Sequence, residues 1–455
     1  MSVLVGGAVS AQALMILAAP LLTRLYSPES FGVLGVYAAL LAILGVVSSL
    51  RYEIAIPLPG SDVDATNLLA VSFISLISTT AVTFLVVLLL GAQFVGYLNV
   101  PELGRYLWLL PVGVFLSGVY KVLSYWAVRT KSFGALSRTR IIQALSTLVV
   151  QILGFKLGSL GLLLGQAGGQ GAGSVSLAKS SFRLNKPSGW SWSGVFEVGC
   201  RYRQFPLFST WSGLFNTAGA QLPPLLFAGL FGAGPAGLYV LAHRVLAMPM
   251  SVIGDAIGKV FFSGAAEAHR DGKLGQVVSN GFSSLVKIAF PAALFFMLIA
   301  PDLFLVAFGE NWIVAGEMAR WMTPWLLFQF ISSPLSTIYF VLEKENYGLV
   351  FQVFLLVSRV LSLVLGSIYL DFIGTVIAFS LTSAFCYFFY MLSIFYISGG
   401  SFSDAIIVLL NEISVIILLL IPCFIFLFFG FYNAFLVSVF LSMLALCIVR
   451  IRSIY

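Results

Sequence analysis

The chain has 455 residues, of which 60% are hydrophobic and only 9% charged, with a mean hydropathy of +1.04. Soluble globular domains carry about 25% charge, so this composition excludes a water-soluble globule and requires lipid as part of the solvent. The formal net charge of +7 is not a nucleic-acid signature, because the basic residues gather in connectors on one side of a membrane.

In lipid every backbone polar group must be paired internally, which leaves helices or closed barrels. The apolar runs are about 20 residues long and show no period-two alternation, so they are read as helices. In chain order, spans are expected at 3–23, 31–50, 67–90 and 107–127. Two more lie between 141 and 178, separated by a turn near 156–159. The first span is too long for a signal-peptide core and has no basic n-region. The sixth carries the small-residue run GQAGGQGAGS, which lets helix backbones approach closely. A basic connector, 179–205, follows. Spans are then expected at 206–230, 237–261, 284–308, 321–342, 347–370 and 373–396, with a terminal pair at 405–428 and 431–449.

The expected fold is an all-α polytopic membrane protein with about 14 transmembrane helices, in two parallel six-helix lobes plus a C-terminal helix pair. The division reads 1–178 as an N-lobe, 179–205 as a cytoplasmic linker, 206–400 as a C-lobe and 401–455 as the terminal pair. A repeat supports the two halves. At 20–44, Pro-Leu-Leu ends a span, a Gly/Pro turn follows and a Gly-rich apolar helix starts; the pattern recurs around the turn at 232–237 with a one-residue offset. Orientation follows Lys and Arg. Even-numbered connectors hold most of them, while odd-numbered connectors hold only Arg24, Arg105, Lys156 and Arg320. Both termini are therefore expected in the cytoplasm.

Ionisable residues fall inside spans, among them Lys121, Arg244, Arg359 and Glu412. Each costs about 2.5–3.5 kcal/mol at a helix centre, so they should face a watery cavity or one another. Arg359 is the deepest, about 18 Å from the cytoplasmic end of its helix. Arg244 and Asp255 are close to three turns apart, which puts them on one face of a continuous helix. Plainer readings stand beside these. Lys121 is close enough to the cytoplasmic end to snorkel. Asp255 pairs with Lys259 at i,i+4. Glu412 is about two turns from the surface, within reach of solvent. Arg51 and Glu53 read equally as an interface anchor.

No catalytic constellation is present. His243 and His269 lack Ser, Asp or Cys partners at a recognised spacing. The four cysteines show neither metal spacing nor a disulfide framework, and there is no Walker loop. The expectation is a non-enzyme with no cofactor, no metal and no nucleic-acid partner.

Two stretches carry a family resemblance. APLLTRLYSPESFGVLGVY with RYEIAIPLP, and RYRQFPLFST with GLYVLAHRVLAMPMSVIGDAI, resemble the bacterial O-antigen and exopolysaccharide flippases. Those belong to the multidrug/oligosaccharidyl-lipid/polysaccharide exporter superfamily. The resemblance implies a V-shaped central cavity between two lobes and alternating access. It implies a cargo of polyprenyl-diphosphate-linked oligosaccharide, turned across the bacterial inner membrane. It also implies a cationic cavity, coupling to an ion gradient, and room for a polysaccharide polymerase complex as partner. One departure is the lack of a basic residue before the first helix. On this reading Arg244, Arg359, Lys121 and Arg51 are the candidates to hold the diphosphate, since buried arginine can bind phosphate bidentately. Glu412 and Asp255 are the candidates for ion coupling. Two alternatives remain. A multidrug/cation antiporter should place acidic residues in its cavity. A polysaccharide polymerase or ligase should carry a large periplasmic loop, and no odd-numbered connector is long.

Overall fold

The computed structural model describes residues 2–184, 186–249, 254–401, 403, 406–412 and 414–415. The expected terminal pair at 405–428 and 431–449 lies almost wholly outside the described residues. Every regular element among those residues is helical.

The first expected span is two helices, α1 (Ser2–Leu17) and α2 (Ala19–Leu25). Pro20 occupies the first turn of α2, where its missing N–H costs nothing. Next come α3 (Pro28–Val47), capped by Ser27, and the single turn α4 (Tyr52–Ala55). Then follow α5 (Asp62–Leu98), α6 (Pro101–Gly104), α7 (Leu109–Arg129) and α8 (Phe133–Leu153). The sixth span is α9 (Ser159–Gly171) and α10 (Ser174–Leu184), broken at Gly173, whose φ is +76°. The connector contains α11 (Trp192–Arg201). Beyond it lie α12 (Thr210–Phe231), α13 (Ala233–Pro249), α14 (Asp255–Arg270) and α15 (Leu274–Phe308). The last are α16 (Ile313–Leu335), α17 (Ile338–Val341), α18 (Glu345–Tyr369) and α19 (Phe372–Ser398).

Among the described residues, the first twelve expected spans fall on helix, and the chain is a polytopic all-α membrane protein. Seven helical stretches among the described residues are long and apolar enough to cross a bilayer. The helices often outrun the apolar windows. The 37 residues of α5 extend about 55 Å at 1.5 Å per residue, well beyond a hydrocarbon core of about 30 Å. Likewise α8 begins at Phe133, so Arg138 and Arg140 lie on a helix and not in a loop. Hydropathy marks where lipid ends; backbone pairing continues past that point.

Contacts divide the chain into two compact units, Met1–Val240 and Leu241–Tyr455. In the first, α3 is the most thoroughly buried helix. It packs on α7, α9 and α12, while α1 lies on α8 and α5 on α7 and α11. The two copies of the sequence repeat meet here. A Cβ on Gly32 would run into the carbonyl of Ala233, and one on Gly237 into the carbonyl of Pro28. Glycine at both positions lets the start of α13 lie directly on α3, as small residues do in membrane helix pairs. In the second unit α16 packs against α15 and α19, with α18 on α19 and α14 on α15 and α16.

Candidate functional site

The first unit holds a charged cluster where α3 ends. After Val47 the chain reverses through Leu50 and Arg51, both left-handed, with φ of 51° and 63°. Two such non-glycine residues in succession cost on the order of 1–3 kcal/mol each and persist only where the surroundings hold them. The holding groups are identifiable. Lys121 of α7 donates to the carbonyl of Gly45, and Thr79 of α5 donates to that of Ser48. These are carbonyls left open at the C-terminal end of α3, where a cation also meets the negative end of the helix dipole. Glu53 is 4% exposed, and its Oε2 accepts from Ser49 Oγ at 2.6 Å. Arg51 lies over Gly213 of α12, where a Cβ would strike its guanidinium. Its Nε is buried and has no hydrogen-bond partner among the described residues. Arg51 and Glu53 both act electrostatically on Lys121. The structure thus brings Arg51, Glu53 and Lys121 together.

A clamp beside this cluster fixes the α4–α5 connection. Arg129, the last residue of α7, donates to the carbonyl of Pro59 at 2.6 Å and to Asp62 Oδ1 at 2.7 Å. It reaches the carbonyls of Ile56 and Ser61 as well.

In the second unit Arg359 sits on α18 inside an aromatic cage. Its guanidinium carbon is 4.6 Å from the ring centre of Trp325, 5.5 Å from Phe379 and 5.9 Å from Tyr387. Trp325 comes from α16 and the other two from α19. Nε donates to Ser383 Oγ at 3.0 Å, also on α19. Nη2 is buried with no partner among the described residues. No described carboxylate forms an ion pair with Arg359. His243 stacks on Trp325 with ring centres 6.0 Å apart. From the cage a column of rings continues through Phe351 and Tyr390 to Tyr339 and Tyr347, the tightest pair being Phe351 and Tyr390 at 3.7 Å.

Other sequence-derived candidates lie elsewhere. Arg244, on α13 next to His243, makes no hydrogen bond or ion pair with a described residue. Asp255 opens α14; residues 250–253, between it and α13, lie outside the described residues, as does the Asp255 side chain. Glu412 is buried, at 3% exposure. The cage residues Trp325, Phe379, Ser383 and Tyr387 carried no site signal in the sequence. A hint was available: Trp is enriched at membrane interfaces, and Trp325 lies in mid-helix.

Comparison with known proteins bears on this geometry. Residues 21–317 match the profile of a family described as polysaccharide biosynthesis protein. The chain belongs to that family. Among relatives of this polysaccharide biosynthesis protein is the lipopolysaccharide biosynthesis protein WzxC of Escherichia coli, 25% identical over 39% of this chain and 36% of that one. The teichuronic acid biosynthesis protein TuaB of Bacillus subtilis is 26% identical over 28% of this chain and 27% of its own. The alignments therefore span only about a third of those relatives' length. Among solved structures the lipid II flippase MurJ superposes with a TM-score of 0.74 at 11% identity, covering all of both chains. A multidrug resistance MATE transporter of the MOP superfamily reaches 0.67 at 15% identity, covering 84% of this chain and 93% of its own. The fold is that of these transporters.

Proposed function

We propose that this polysaccharide biosynthesis protein is a flippase that turns a polyprenyl-diphosphate-linked oligosaccharide across the bacterial inner membrane by alternating access. The observation that carries the proposal is Arg359: a permanently charged guanidinium deep in a span, balanced by rings and a hydroxyl, with one buried nitrogen that has no hydrogen-bond partner among the described residues. Arginine cannot shed its proton to escape desolvation. A cation kept without a carboxylate is free to take an anion, and a diphosphate is the anionic part of such a cargo. Arg244, likewise free of a described partner, is the second diphosphate ligand. Arg51 and Lys121 form the cationic site of the first unit, with Lys121 also closing the end of α3. Glu412 is the candidate for coupling to an ion gradient, together with Asp255. Both termini are cytoplasmic, on the Lys/Arg bias of the connectors. The 179–205 connector joins an N-lobe, 1–178, to a C-lobe, 206–400, and the 401–455 pair follows. A polymerase would then receive the cargo on the outer leaflet.

The test is export in cells that depend on this chain. The R244A/R359A double variant, present at normal levels, should leave the lipid-linked oligosaccharide on the cytoplasmic side. Wild-type export by that variant would refute the cationic mechanism. An empty-vector strain that still exports normally would refute the flippase reading itself.

A further inference from the structure

A groove that the transport reading does not use runs along α10. It has a volume of about 710 Å³ and lies between α10 and α7. Two helical rows line it. Ser174, Ala178 and Phe182 recur every four residues and so share one face; they meet Val119 and Leu123 of α7. Val175, Lys179 and Arg183 form the adjacent row, and Lys186 closes the end. Phe182 is fixed edge-on by Trp126, with ring centres 6.1 Å apart. The groove is thus apolar at the Val175 end and cationic at the other.

Two features identify an occupant. Lys179, Arg183 and Lys186 are exposed, and none forms an ion pair with a described residue. No carboxylate lines the groove. From these we infer that the groove binds an anionic phospholipid of the surrounding bilayer. Its phosphate rests on Lys179, Arg183 and Lys186, and one acyl chain lies along Val119, Leu123, Val175 and Phe182. Length favours a phospholipid over the longer polyprenyl cargo. The 11 residues of α10 span about 16 Å, which matches one leaflet of a hydrocarbon core about 30 Å thick. Basic residues near an anionic leaflet each add to such binding. The inference concerns bound bilayer lipid and stands apart from the flippase reading.

The experiment uses the full chain in nanodiscs of phosphatidylglycerol and phosphatidylcholine, with retained lipid counted by native mass spectrometry. The K179Q/R183Q variant changes two exposed side chains. It should retain about thirtyfold less phosphatidylglycerol, the equivalent of ~2 kcal/mol for two basic residues. The A178W variant fills the groove without changing charge and should lose the same lipid. A photoreactive phosphatidylglycerol should label 174–187 in the wild-type chain, which needs no variant to fold. Three results would each overturn the assignment: unchanged retention in both folded variants, equal retention of phosphatidylcholine, or stoichiometric displacement by undecaprenyl diphosphate, which would give the groove to the cargo.

Discussion

Replacing Arg359 by lysine separates a phosphate ligand from a structural cation. The insertion cost of either residue at a helix centre is about 2.5–3.5 kcal/mol. In the cage, a desolvated cation over a Trp face returns about 2 kcal/mol. The Nε bond to Ser383 returns a further ~1.5–3 kcal/mol, the usual range for a charged hydrogen bond. These terms offset the insertion cost, so Arg359 is accommodated without an acidic partner. Lysine keeps the charge and the ring beneath it, but it lacks the planar fork and the directed Nε donor. The cation–ring contact survives, so the loss of stability should stay near ~1.5 kcal/mol, at the lower end of that hydrogen-bond range.

The loss of cargo binding should be larger. One arm of a bidentate, charge-assisted contact is worth about 1.5–3 kcal/mol, or roughly 10- to 100-fold in affinity. The assay titrates undecaprenyl diphosphate onto the full chain in nanodiscs and follows thermal unfolding of the same sample. A ten- to hundredfold weaker affinity with a nearly unchanged melting temperature supports the ligand role. The opposite pattern, wild-type affinity with a large drop in melting temperature, would mean that the cage exists to bury a structural cation.

Three further outcomes follow from named contacts. Gly237→Leu should destabilise the α3–α13 packing by about 3 kcal/mol, the upper part of the usual overpacking range, because the added atoms meet the Pro28 carbonyl and not a yielding side chain; unchanged detergent stability would contradict the close approach. Arg129→Ala should free the 56–62 segment, seen as faster amide exchange there with little change in α5, since one side chain supplies the contacts to Ile56, Pro59, Ser61 and Asp62; uniform exchange across the segment in both proteins would remove that role. Reporter fusions after Tyr455 and near Lys131 should both report the cytoplasm, and a reporter near Pro235 the opposite side; an external C-terminus would overturn the orientation drawn from Lys and Arg.

The positions of the helices among the described residues were legible because the cost of bare backbone in lipid leaves a plain trace, an apolar run of spanning length. What hydropathy misses is everything that helix formation does outside lipid. Arg138 and Arg140 are polar in sequence and helical in structure, and α11 forms within a connector that carries no apolar run of spanning length. The Gly32–Gly237 contact had a different kind of trace. The repeat was visible as a pattern, but the pattern alone did not say that its two copies pack on each other.

The charged positions follow the same logic one level down. Arg359 stood out because a cation inside a span is costly, and cost can be read from one residue and its neighbours in sequence. How the cost is met cannot, because the groups that meet it come from α16 and α19, far along the chain. A carboxylate was the natural partner to look for, and Glu412 and Asp255 were the available ones. The cage takes another course, since rings stabilise a cation without neutralising it. That difference has a functional consequence. A carboxylate partner would have to be displaced before a phosphate could bind, whereas a ring leaves the edge of the guanidinium unneutralised, and here the buried Nη2 has no hydrogen-bond partner among the described residues. Glu53 shows the converse in the first unit. It reads in sequence as an interface anchor, yet the left-handed turn at Leu50 and Arg51 folds it inward, where it acts electrostatically on Lys121. A buried acid beside Arg51 and Lys121 weakens that site's hold on an anion, while the site at Arg359 has no such moderator among its described ion pairs. On the proposed function, the stronger phosphate contact would therefore belong to α18, which makes Arg359, ahead of Arg51, the residue whose replacement should cost the most binding.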